Sequence, residues 1–328
     1  MSIKLDLKDR KILAVLDGNS RMPTRQIAKK VQLSVPAVEH RIERFHKKEI
    51  IFSYYTVIDF ARFGYSQYKI YFKFQNTTLQ DEKKIVEYWK NSPNAVWVGQ
   101  IRGRWDLAVS FLAKSNYAFG RILSSFMNIY SKYILEKDIL LTEYSPIYSR
   151  EYFADTESKE FVYGAPKELY HLDEIDRHIL SIISTDARIS IVGLVEKTNI
   201  TRDVITYRMK KLKEAGVIVH YSCYLNLKNL GVNLYKIIFR TKNFNEESER
   251  AMREYVATHE KATQFLKLIG SWDLEIEFET ENEDELYKIL TDIRKKFASV
   301  IRDFDILRIT DTFKYDYFPF DNQPIQSP

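Results

Sequence analysis

The chain has 328 residues and a mass of 38.9 kDa, with 45% hydrophobic and 29% charged residues; these globular proportions exclude wholesale disorder and a collagen-like or coiled-coil fibre. Its 50 Lys+Arg against 45 Asp+Glu leave a net charge of only +5, too little by itself to name a nucleic-acid partner. The single cysteine, Cys223, excludes an intrachain disulfide and a cysteine-based zinc site. No apolar run approaches the roughly 18 residues a membrane span needs, and the opening MSIKLDLKDR lacks a signal-peptide core, so a cytoplasmic protein with no membrane partner is expected.

From residue 5 to about 52 the apolar residues recur at helical spacing, as in Ile12, Leu13 and Leu16, then Ile27, Ala28 and Val31, then Val38, Ile42 and Phe45. Three short helices are expected. The second covers 25–31, and Gln32 and Leu33 turn the chain. Ser34 then caps a third helix reaching about Lys48, with Pro36 in the first turn, where its missing N–H costs nothing. Two helices joined so tightly form a helix-turn-helix. After Gly64 the period drops to two, as in Lys69 to Phe74, which predicts a strand with one face buried. A helix around 85–89, strands at 95–101 and 105–112, a helix near 117–130 and a strand near 138–147 complete a βαββαβ, ferredoxin-like body.

The whole pattern occurs twice. At a constant offset of 167, Leu5, Asp6, Asp9 and Arg10 fall on Leu172, Asp173, Asp176 and Arg177; Arg21 meets Arg188, Arg41 meets Arg208, and Gly103, Trp105 and Asp106 meet Gly270, Trp272 and Asp273. The register holds without a gap over 149 positions, the signature of an internal repeat. The expected fold is therefore α+β, a tandem duplication of a helix-turn-helix head and a ferredoxin-like body. Its parts are head 1 at 1–53, body 1 at 54–153, a linker at 154–171, head 2 at 172–220, body 2 at 221–320 and a tail at 321–328. In the second copy Thr201 is the expected cap and Gly216 the left-handed stop; Glu49 holds the stop position in the first copy.

Charge separates the copies. Residues 1–53 hold 12 basic against 6 acidic side chains, whereas 168–220 hold 8 against 8, yet the second reading helix keeps Arg202, Arg208, Lys210, Lys211 and Lys213 against Asp203 alone. Basic side chains and helix N-termini grip phosphate, and a helix in the major groove reads base edges. Double-stranded DNA is therefore the expected partner, contacted by Arg25, Ser34, His40, Arg41, Arg44 and Lys48 in the first head and by Thr201, Arg202, Tyr207, Arg208 and Lys211 in the second. Arg41 and Arg208 serve equally well as salt-bridge partners inside their own heads.

These motifs together resemble the Lrp/AsnC family of leucine-responsive and feast/famine transcription regulators. The likeness is carried by LDxxDxxIL at 5–13 and 172–180, by Ser34, Val38 and Arg41 with Thr201, Ile205 and Arg208, and by GxWDL at 103–107 and 270–274. The resemblance implies a DNA-binding regulator modulated by a small effector such as an amino acid, bound near the turn before the third strand, hence at Gly103 and Asp106 and at Gly270 and Asp273. The bland reading gives the glycine to the hairpin and the aspartate to capping. Family members carry one copy per chain and associate through their bodies; here two copies share one chain.

Strand alternation puts Asp273, Glu275, Glu277 and Glu279 on one face, and Lys69, Tyr71 and Lys73 on one face of the other copy. Residues 66–153 carry 12 basic against 8 acidic side chains and 233–320 carry 14 against 18, so the bodies are oppositely charged. Pairing of the two bodies within one chain is expected, with a further homo-oligomer open to other surfaces; like-charge stripes disfavour self-pairing. The alternative is that each stripe faces solvent.

No Walker loop or Rossmann fingerprint is present, and the six histidines show no metal-ligand spacing. The reading is of no enzyme, no cofactor and no metal. Two alternatives stand beside the regulator. One is a ligand-sensing or interaction module that has lost DNA binding. The other is an enzyme resembling the siroheme decarboxylases, which share the architecture and occur as fused pairs. Their Arg-Arg-Phe-Gly-Ala stretch is not matched by Ile51-Phe52-Ser53-Tyr54-Tyr55 or by Ile218-Val219-His220-Tyr221-Ser222.

Overall fold

The computed structural model describes residues 3–154 and 159–320; the expected tail at 321–328 lies outside them. Helix α1 (Leu7–Gly18) starts from a reciprocal cap in which Asp6 accepts from the Asp9 amide and Asp9 from that of Asp6. Helix α2 (Thr24–Val31) ends at Gln32 in the left-handed region, φ 55°, and the Lys8 ammonium donates to the freed carbonyl of Val31 at 2.6 Å. Ser34 then caps α3 (Val35–Lys47), accepting from the Ala37 amide.

The rest of the first half is β1 (Ile51–Ile58), β2 (Ser66–Phe74), α4 (Leu79–Lys90), β3 (Ala95–Arg102), β4 (Leu107–Ala113), α5 (Asn116–Tyr130) and β5 (Ile134–Tyr148). A short strand, β6 (Glu160–Tyr163), lies in the stretch read as a linker and pairs antiparallel with the end of β5. The second half repeats the plan with α6 (Glu174–Thr185), α7 (Ile191–Thr198), α8 (Arg202–Glu214), β7 (Ile218–Leu225), a single turn α9 (Leu227–Leu230), β8 (Asn233–Thr241), α10 (Glu246–Ala257), β9 (Ala262–Ile269), β10 (Leu274–Thr280), α11 (Glu283–Lys296) and β11 (Ile301–Tyr315). The fold is the α+β duplication, with a βαββαβ order in both bodies. Thr201 stands at the start of α8, but its side chain makes no capping hydrogen bond. The stop positions are both left-handed, Gly216 at φ 68° and Glu49 at φ 51°.

Two sheets organise the molecule. β1 and β7 form a two-stranded antiparallel ribbon, so the expected boundary between residues 53 and 54 falls inside a strand. The other strands follow the order β2-β4-β3-β11-β8-β10-β9-β5-β6, and β5 also pairs with β2, closing a ring of eight. The two long last strands make the closure. β5 gives residues 134–142 to β2 and 141–147 to β9; β11 gives 301–309 to β8 and 308–315 to β3.

Alternation divides the side chains. Ile70, Phe72 and Val109 face α4 and α5 with Trp89 and Phe126, in one apolar layer; Ile237, Phe239 and Ile276 face α10 and α11 in another. The opposite faces, with Tyr71, Trp97, Ala108, Ile238 and Leu266, look inward and join the core of the heads. Burying such side chains is worth about 1.5–3 kcal/mol each.

Candidate nucleic-acid interface and the joints behind it

The heads are held as a pair. Besides the β1–β7 ribbon, Arg21 of head 1 donates to the carbonyl of Ala187 at 2.6 Å, and Arg188 of head 2 donates to those of Ser20 and Met22. Each guanidinium also lies over a tyrosine of the ribbon, Arg21 over Tyr221 at 5.7 Å and Arg188 over Tyr54 at 5.5 Å. Thr56 donates to the Ile183 carbonyl at 2.5 Å, and the Ser20 amide to that of Tyr221 at 2.9 Å. Each head thus packs on the other copy's strand. The match of Arg21 with Arg188 at the offset of 167 is the trace this clasp leaves in the sequence, where spacing alone does not reveal it.

The residues expected at DNA divide into two groups. Arg25, Ser34, His40 and Lys48 are exposed in head 1, and Thr201, Arg202, Tyr207 and Lys211 in head 2. Tyr207, 62% exposed, stands on α8 without apolar cover; Lys211 lies 5.9 Å from the Tyr170 ring. The three half-buried arginines are spent inside the heads. Arg41 bonds Asp6 at 2.7 Å and Asp9 at 2.5 Å, Arg44 bonds Asp9, and Arg208 bonds Asp173 at 2.6 Å and Asp176 at 3.4 Å. The hydrogen bond from Arg41 holds the Asp6 carboxyl below its ordinary range. These pairs fasten the reading helix to the N-terminus of the first helix, the salt-bridge alternative for Arg41 and Arg208, and Arg44 shares it.

The expected effector residues also have partners inside the protein. Gly103 has φ 133° and Gly270 φ 149°, and each turn lies against the last strand of the other half. A Cβ at Gly103 would stand 2.9 Å from the Ile306 carbonyl oxygen, and one at Gly270 2.7 Å from Leu140 Cδ2. Asp106 accepts from the Phe74 amide at 2.8 Å and from Lys73 at 3.0 Å, and Asp273 from the Thr241 amide and hydroxyl. Both carboxylates are used as caps, and the turns are joints between halves. Trp272 Nε1 extends one joint by donating to Asp138 across the halves at 3.1 Å.

Between the sheets, the acidic face of β10 meets three cations. Glu275 accepts from Lys69 at 2.5 and 2.6 Å, from Lys236 at 2.8 Å and from Tyr71; Glu277 accepts from Lys236; Glu279 accepts from Arg150 at 2.8 Å and from Tyr152. Lys69 and Arg150 come from the first half. Burial alone would raise the Glu275 carboxyl, but Lys236 and Lys69 outweigh it and hold the group down, at about 2. Arg150 also bonds Asp17 at 2.6 Å, tying α1 to the sheets. A cavity of about 90 Å³ remains beside this network. Among the described residues no cluster of His, Cys, Asp and Glu could hold a metal, and no helix is long and apolar enough to cross a membrane.

The winged helix-turn-helix DNA-binding family matches residues 5–51 and again 172–219. The uncharacterized HTH-type transcriptional regulator PH1916 of Pyrococcus horikoshii is 29% identical over 131 residues, 39% of this chain and 87% of the relative. The HTH-type transcriptional regulator FL11 of Pyrococcus furiosus is 26% identical over 119 residues, 36% of this chain and 78% of the relative. Crystal structures of the siroheme decarboxylase NirDL, one of them in co-complex with an iron-uroporphyrin III analogue, align with 96% of this chain and 96% of theirs at TM-score 0.62 and 14% identity. That likeness overturns the expectation of no enzyme: end to end, the fused double fold is one that an enzyme uses. At 14% identity it is a likeness of fold.

Proposed function

We propose that this chain is a sequence-specific, DNA-binding transcription regulator of Lrp/AsnC type, in which the two halves of one chain pair as two chains do in single-copy relatives. The observation that carries the reading is the clasped pair of winged heads. The ribbon and the two arginine clasps fix their separation, so α3 and α8 are presented as a set with different exposed residues. The names of the similar proteins, both HTH-type transcriptional regulators, support it, as do the motifs at 5–13, 34–41 and 103–107 and their repeats. Arg25, His40 and Lys48 with Arg202, Tyr207 and Lys211 are the side chains placed at DNA, in a cytoplasmic protein. The strand pairs β3–β11 and β5–β9 and the Lys69–Glu275 bond support pairing within the chain. The test is fluorescence anisotropy on genomic fragments across salt, where log affinity should fall with log salt by roughly 0.9 per phosphate neutralised. Absence of binding at low salt removes the reading.

The full-length fold likeness favours a second reading, a small acid handled between the sheets by Lys69, Lys236 and Arg150. The cavity of about 90 Å³ there is far below the roughly 300 Å³ of the smallest usual ligand sites, so a tetrapyrrole would require the sheets to part. Titration with siroheme under reducing conditions tests it: a shifted absorbance band with release of carbon dioxide supports catalysis, and an unchanged spectrum removes it.

A further inference from the structure

A larger cleft, of about 480 Å³, shares only Arg150 with the cavity between the sheets and lies where head 1, head 2 and the strap leading out of body 1 converge. Val15 on α1, Met22 in the following turn, Val219 on β7 and Phe161 on β6 form apolar walls. Lys30 at the end of α2, Lys159 before β6 and Lys213 near the end of α8 bring three ammonium groups from three separate parts of the chain. Among the described residues none of these lysines makes an ion pair and no carboxylate lines the cleft. The remaining cation, Arg150, is neutralised by Asp17 and Glu279. His220 supplies the floor; it stacks on Phe161 with ring centroids 3.7 Å apart, and burial keeps it neutral at pH 7.

We propose that this cleft binds a small organic anion with an apolar body, the body lying on Val15, Met22, Val219 and Phe161 and the negative end met by the three lysines. Its volume is within the range of ordinary ligand sites. Such a molecule satisfies both features of the lining at once: a wholly polar anion would leave the apolar walls uncovered, and a neutral molecule would leave the three lysines without a counter-charge. The repeat offers an internal contrast. At the offset of 167 the place of Asn19 is taken by Asp186, that of His220 by Ser53 and that of Lys213 by His46, and His46 is already bonded to Tyr54 at 3.0 Å. A carboxylate in the equivalent position repels the same ligand, so one chain binds one anion.

The cleft touches α1 and α2 of one head and α8 and β7 of the other, so an occupant bridges the heads. On the reading of the chain as a DNA-binding regulator, which this second step rests on, an occupant adds contacts to both heads, reinforces the spacing at which α3 and α8 are presented and so changes affinity for DNA; couplings of this kind are typically about 5- to 150-fold.

The probe is 1-anilinonaphthalene-8-sulfonate, titrated into the full chain without DNA, with 3-phenylpropanoate and the uncharged 3-phenylpropan-1-ol as competitors. The site predicts one bound probe per chain, displaced by the acid and not by the alcohol. Replacing Lys30, Lys159 and Lys213 together by Gln should weaken it at least about tenfold. Gly18→Phe gives a second variant: Gly18 lines the cleft, and a Cβ there meets nothing within 4 Å, so a ring can fill the space while the thermal transition stays unchanged. Probe binding that is equal in both variants, or displaced equally by acid and alcohol, overturns the site. Because this is read without DNA, its failure is distinct from failure of the regulator reading. With DNA present, 3-phenylpropanoate should shift operator affinity in the native chain and not in Gly18→Phe; equal affinity with and without the acid overturns the coupling.

Discussion

Lys69 on the first body strand of one half donates to both carboxylate oxygens of Glu275 on the third body strand of the other, at 2.5 and 2.6 Å, and neither side chain is more than 2% exposed. Lys236 and Tyr71 complete the acceptor sites of the same carboxylate. Bringing such charges out of water costs several kcal/mol per ion, so the network does less for net stability than an apolar layer would. It discriminates instead: at the offset of 167 the counterpart of Glu275 is Ala108, so two copies of the first body would leave Lys69 buried without a carboxylate.

Glu275→Gln should therefore destabilise the chain by about 3 kcal/mol, because it leaves Lys69 buried without a counter-charge. Adding Lys69→Met should recover most of that loss, since Lys236 keeps Glu277. Guanidinium denaturation of the two single variants and the double variant gives the coupling; additive losses would contradict a direct pair.

His220 sets a pH window. Burial pushes its imidazole down from 6.5 to about 4, so the folded state holds it neutral while the unfolded chain protonates it. The contribution to stability is fully present above about pH 6.5 and is lost progressively as pH falls towards 4, up to about 3 kcal/mol. His220→Gln should flatten the stability curve between pH 6.5 and 4, measured by thermal melts at fixed ionic strength. A curve of unchanged slope would contradict the assignment.

The arginine clasp predicts an effect at a distance. Arg21→Gln and Arg188→Gln should each cost about 1.5–3 kcal/mol, the range for hydrogen bonds from a charged group, and should weaken DNA binding though the side chains are turned to the other head. Amide hydrogen exchange in β1 and β7 reports the loosening; unaltered protection would contradict it.

Glu49 holds a left-handed conformation, φ 51°, where its repeat equivalent is Gly216. Glu49→Gly relieves that strain against the extra freedom of the unfolded chain and should stabilise head 1 by about 0.5–1 kcal/mol. A lowered melting temperature would show that the Glu49 side chain matters more than its backbone.

The duplicated fold was legible because an offset of 167 without a gap leaves little freedom, and the change of period from 3.6 to 2 near Gly64 divides head from body. Alternation also placed Glu275, Glu277 and Glu279 on one face. It left open whether that face met solvent or another sheet, since spacing within a strand carries no information about what lies opposite. The same limit explains the arginines: a cation on a reading helix at Arg41 fits a phosphate or Asp9 equally well in sequence, and only the approach of α1 to α3 decides. Gly103 and Gly270 stand out in the sequence as the glycines of a repeated motif, and the neighbour that demands glycine is the last strand of the other half, 203 and 131 residues away at Ile306 and Ile139. Strand β6 was missed because four residues are too few for a period to register.

On the proposed function, one chain presents two different winged heads to DNA as a fixed pair. In-vitro selection from a random duplex library with the intact chain, followed by native mass spectrometry of the selected complex, tests it most directly. Two dissimilar half-sites at one constant spacing with one chain per pair are expected, with loss of preference at only one half-site on Arg202→Ala or Tyr207→Ala. No enriched sequence, or a perfect palindrome bound by two chains through the same head, would contradict it.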